Sequence, residues 1–70
     1  MDRRELRERL LAFIPRDHYV FASDVVASSQ LPANRVWPEL VLLAQDGVIS
    51  TEYTGRSGPH VGDAKIRRDV

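Results

Sequence analysis

Seventy residues suffice for one domain with a small core. A chain of about 60 residues buries only about 60% of the surface it exposes when unfolded, so a deep catalytic cavity is not expected. Hydrophobic residues at 43% and charged residues at 29% mark a chain that folds, and the absence of cysteine excludes a disulfide framework and a thiolate metal site.

Ten basic and ten acidic side chains cancel, which counts against a strong nonspecific polyanion binder, because phosphate affinity grows with the number of cations delivered. The cancellation hides a pattern. Residues 1–16 carry five Arg against three acids, residues 17–52 only Arg35 against five acids, and residues 53–70 four basic residues against two acids. No apolar stretch follows Met1-Asp2-Arg3-Arg4-Glu5 and the apolar runs are short, so neither a signal peptide nor a membrane partner is expected. The composition fits a reducing cytoplasm.

In chain order, Leu6, Leu10, Phe13 and Ile14 recur at helical spacing, with Leu11 and Ala12 widening the stripe, and predict a first helix from Asp2 to Ile14. Asp2 is placed to cap it, with Glu5 three residues on, and Pro15 ends it by pushing Ile14 out of the α region. Arg4 and Glu8, like Glu5 and Arg9, lie four apart. The basic residues here therefore read first as a solvated, ion-paired face and only second as nucleic-acid contacts. His18-Tyr19-Val20-Phe21 is rich in strand formers and predicts a short strand.

Ser23 is the expected cap of a short second helix holding Val25, Val26 and Ala27, which Ser28-Ser29-Gln30 breaks. Pro32 suits the first position of a third helix from Ala33 to Gln45. Val36, Leu40 and Leu43 share one face of it, and Gly47 sits where a left-handed cap is wanted. Pro38 inside this pattern allows two outcomes, a helix that starts near Trp37 or one kinked at the proline. After Gly47 the period becomes alternating. Val48 to Thr54 reads as a strand, Gly55 to Gly62 as a glycine-rich loop and Ala64 to Arg68 as a returning strand, with Ile49 and Ile66 facing the core.

Helix, short helix, tight turn, helix, glycine and hairpin is an order that resembles the winged helix-turn-helix superfamily. Leu43-Ala44-Gln45-Asp46-Gly47-Val48-Ile49 is similar to the junction by which such domains leave the recognition helix for the wing. Phe21 to Ala27 looks like the usual start of helix 2, and Leu31 to Val36 like its turn into helix 3. The likeness spans nearly the whole chain without singling out one family. It implies one α+β domain over residues 1–70, three helices followed by a two-stranded β-hairpin wing. It also implies a third helix that enters the DNA major groove N-terminus first, with the wing on phosphates or the minor groove.

Carried over by position, Asn34 and Arg35 become base or phosphate readers, since both lie off the Val36–Leu40–Leu43 face and these types pair bidentately with adenine and guanine. The plain alternatives are a turn or capping role for Asn34 and a solvated charge for Arg35. In the hairpin, Arg56, His60, Lys65, Arg67 and Arg68 gather around a glycine-rich tip whose N–H groups can approach a phosphate. The alternative there is a solubilising hairpin whose charges deter strand aggregation.

Two features depart from the DNA-binding pattern. The third helix pairs its one cation with an acid, Glu39, and Trp37, Val41 and Leu42 lie outside its core stripe. Exposed together, those three would suit a protein partner or self-association. The expected function is a DNA-binding regulator or accessory protein acting as a dimer on duplex DNA, chiefly through the basic wing, with the start of the third helix and Arg3, Arg4 or Arg7 as further contacts. The alternative is a protein-interaction or self-assembly module. No nucleophile, base and acid stand at recognisable spacing, His18 and His60 make no metal cluster, and Gly55-Arg56-Ser57-Gly58 lacks a phosphate-loop ending. An enzyme, a cofactor, a metal and a small-molecule substrate are accordingly not expected.

Overall fold

Asp2 caps the first helix, its Oδ1 accepting from the Glu5 amide at 2.8 Å, in the computed structural model of the chain, which describes residues 1–53 and 64–70. This helix, α1 (Arg3–Leu11), is shorter than its apolar spacing predicts. Pro15 denies Ile14 the α region, and the last turn tightens into bonds from Phe13 N to Leu10 O and from Ile14 N to Leu11 O. The tightening carries Ile14 into the core and leaves Phe13, expected on the apolar stripe, 44% exposed.

The short strand expected after it is β1 (Val20–Phe21), which runs directly into α2 (Ala22–Ser29). Ser23 is therefore not the cap. Phe21 holds that position in extended backbone with no side-chain bond, because pairing in the sheet keeps it extended until the chain turns at the buried Ala22. Gln30 ends the helix in the left-handed region, and the Leu31 amide donates to Ser29 Oγ.

Helix α3 spans Ala33–Gln45, and Pro38 neither delays its start nor ends it. Pro32 is the residue before the helix rather than its first, and its carbonyl accepts from the amides of Arg35 and Val36. Gly47 adopts φ +76°. The Val48 amide then reaches Leu43 O and the Gly47 amide reaches Ala44 O, the two bonds of a Schellman cap. Nothing stands within 4 Å of where a Gly47 Cβ would lie, so glycine is needed here for its backbone angle and not for space.

The cap spends the Val48 amide, so β2 (Ile49–Tyr53) starts one residue later than expected. It pairs antiparallel with β3 (Ala64–Arg68) from Ile49 opposite Arg68 to Tyr53 opposite Ala64. β1 pairs with the other side of β3 through Val20–Ile66 and Phe21–Lys65, so the expected two-stranded hairpin is widened to a three-stranded sheet of order β1-β3-β2. The architecture is α+β, three helices against a small antiparallel sheet. Leu6, Leu10 and Ile14 of the α1 segment, Val25 of α2, Val36, Leu40 and Leu43 of α3, and Ile49 and Ile66 of the sheet make one core. Strand alternation turns Phe21, Lys65 and Arg67 to the face away from it.

Candidate nucleic-acid interface

Three arginines line the start of α1, and Arg35 reaches toward it from the start of α3. Arg35 reaches from the first turn of α3 to donate its Nη2 to the Met1 carbonyl at 3.2 Å. Arg3, Arg4 and Arg7 line a shallow depression of about 360 Å³ on the neighbouring start of α1. The first turn of α3 has no side-chain cap, so its leading amides point outward, and the positive end of the helix dipole faces solvent beside these arginines.

Beneath them lies Glu39, only 3% exposed. Arg3 Nε donates to its Oε1 at 3.0 Å and Arg7 Nε to its Oε2 at 3.0 Å, while Arg7 Nη2 also reaches Asp46 Oδ2 at 3.1 Å. The bond to Glu39 foremost, assisted by Asp46, holds the Arg7 guanidinium charged more firmly than usual against the opposing cost of desolvation. Arg7 is thereby committed to the α1–α3 contact. Arg4 is free to act outward, since its side chain is 89% exposed and its pair with Glu8 is loose at 3.6 Å. Arg9 pairs with Glu5 at 3.0 Å, as their spacing predicts.

Glu39, which on the sequence departs from the cation-rich pattern of a groove-reading helix, is thus buried rather than set on the surface of α3. The signal was present: Val36, Glu39, Leu40 and Leu43 follow the i, i+3, i+4, i+7 rule of a buried helix face, and a carboxylate on that face needs cations opposite it.

Seen around α3, Asn34, Pro38, Val41 and Gln45 form the exposed ridge. Arg35 lies about 100° from Asn34, on the α1 side. Trp37, Val41 and Leu42 do not make one exposed patch. Trp37 is half-buried and packed on the core, Val41 is 42% exposed, and Leu42 is half-buried about 140° around the helix from Trp37. Beside Val41 an apolar groove of about 200 Å³ opens between α3 and the sheet, lined by Leu40, Ala44, Ile49, Ala64 and Ile66 among others.

Of the three basic side chains of β3, Lys65 and Arg67 have partners among the described residues, while the buried Nε of Arg68 has none there. The Lys65 ammonium lies 5.4 Å from the centroid of Phe21, its neighbour in register, and the Arg67 guanidinium 5.1 Å from that of Tyr19. Arg67 also approaches Asp69 at 3.5 Å, and Asp69 accepts from Ser50 Oγ. Arg68 is half-buried, and its backbone amide donates to Pro15 O at 2.9 Å. Arg56 and His60 lie outside the described residues. Among the described residues no helix is long and apolar enough to cross a membrane.

No family model, curated protein or solved structure matches this chain.

Proposed function

We propose that this chain is a winged-helix module that binds duplex DNA, with the start of α3 directed at the major groove and the arginines of α1 and α3 on the flanking phosphates. The observation that carries the reading is the Arg35–Met1 contact. It ties the uncapped start of α3 to Met1, just before the helix whose Arg3, Arg4 and Arg7 line the depression, so that cations flank an exposed helix ridge, the arrangement by which such a helix is held in register on a backbone. Glu39 and Asp46 offset part of this charge, so the affinity of one copy is modest and two copies on adjacent half-sites would serve better. In this reading Arg4 and Arg35 contact phosphate, Arg3 and Arg7 shape the flank, and Asn34 faces the bases. Lys65 and Arg67, engaged by aromatic rings, contribute less than the sequence alone suggests.

Fluorescence anisotropy against a random duplex at low and moderate salt tests the proposal. Affinity that falls steeply with salt, and falls further in Arg4→Ala and Arg35→Ala, is the expected result; binding indifferent to salt and to both substitutions would overturn it. A second reading, an apolar protein segment in the groove beside Val41, is favoured by that residue's exposure. Loss of a partner on Val41→Arg, with DNA binding absent from the start, would select it.

A further inference from the structure

The exposed ridge of α3 carries Asn34, Pro38, Val41 and Gln45, at spacings of four, three and four residues, and this is one face of a helix over roughly 16 Å. None of the four is charged. In the major groove each base pair presents its own pattern. Adenine offers an acceptor and a donor that match the amide of Asn or Gln, thymine offers a methyl group that matches an apolar side chain, and guanine offers two acceptors that call for Arg or Lys. Here the two amides stand at the ends of the ridge and the two apolar residues between them. The nearest cation, Arg35, is turned toward α1 and bonded to the Met1 carbonyl.

We infer that α3 reads A·T base pairs, with Asn34 on adenine and Pro38 and Val41 against thymine methyl groups, and that it has no contact with which to select guanine. The inference rests on the DNA-binding reading above and adds the base pairs that the module prefers. Because Arg4 and Arg35 contact only phosphate, the backbone affinity and the base preference reside in different side chains and can be removed separately.

The test compares three duplexes by anisotropy at low salt: one of alternating A·T pairs, one of G·C pairs only, and the A·T duplex with uracil in place of thymine, which lacks the 5-methyl group. The expected result is a preference for A·T over G·C of about tenfold or more, given the usual worth of a bidentate contact, and an intermediate affinity for the uracil duplex. Asn34→Ala and Val41→Ser should each reduce the preference for A·T over G·C; both positions are exposed, so neither substitution endangers the fold. Equal, salt-dependent binding to all three duplexes would overturn this inference and leave the DNA-binding reading standing. A preference that survives in both variants would likewise overturn it. Absence of salt-dependent binding to any duplex would overturn the DNA-binding reading and this inference with it.

Discussion

Arg7 grips Glu39 with two nitrogens, Nε at 3.0 Å and Nη2 at 2.9 Å, and so ties α1 to α3 across a carboxylate whose side chain is only 4% exposed. The two partners are unequally placed. Arg7 keeps 27% of its side chain in solvent and Arg3 62%, so an arginine that loses Glu39 can turn to water, whereas the buried Glu39, left with Arg3 alone, cannot. Arg7→Met should therefore cost about 2–3 kcal/mol, and Glu39→Met only about 1 kcal/mol. Urea unfolding of the two variants measures the order; a larger loss in Glu39→Met would contradict it.

Gly47 is set by its backbone angle, with open space around it. Gly47→Ala should cost about 1 kcal/mol through left-handed strain alone, without repacking the core. Near-UV circular dichroism unchanged alongside a lowered unfolding midpoint is the expected outcome. An unchanged midpoint would remove the account of the α3 cap.

Much of the fold was legible because it rests on local rules. The Asp2 cap, the end of α3 before Gly47, the change of period after Gly47 and the extended segment before α2 all follow from propensity and spacing, whereas Pro38 left the start of α3 open. What was not legible depended on tertiary partners. Ser23 lost the cap of α2 because β1 pairs with β3 and holds Phe21 extended. Phe13 left the core because the turn before Pro15 tightened to bring in Ile14. At the candidate site, Asn34 and Arg35 could be named, and set about 100° apart, from their position on the helix, but the bond of Arg35 to the Met1 carbonyl is a tertiary contact that spacing does not reveal. The aromatic partners of Lys65 and Arg67 depend on cross-strand neighbours, which spacing along one strand does not reveal.

The core should distinguish sharply between neighbouring apolar residues of α3. Leu43, fully buried, should cost about 3 kcal/mol or more on replacement by Ala. Val41→Ser, at a residue 42% exposed, should change stability by no more than about 0.5 kcal/mol. Paired denaturation curves decide, and comparable losses would mean that Val41 is covered in solution.

Asp17 accepts from His18 Nδ1 at 2.8 Å. That bond, with a lesser one from its own backbone, holds its carboxyl below the usual aspartate value. The contribution is present above the ordinary aspartate range and is lost as pH falls through the lowered value. In an NMR titration of the side-chain carboxyl carbon, His18→Ala should move the Asp17 midpoint back up; a midpoint unmoved by the substitution would assign the shift to the backbone alone.

The proposed DNA-contacting surface is the start of α3 with the arginines beside it, and an amide chemical-shift titration with a short duplex locates it. Shifts should concentrate at Arg3 to Arg7 and Asn34 to Val41 and shrink in Arg35→Ala. Shifts confined to the outer sheet face around Ser50, Lys65 and Arg67, or no shifts at low salt, would contradict it.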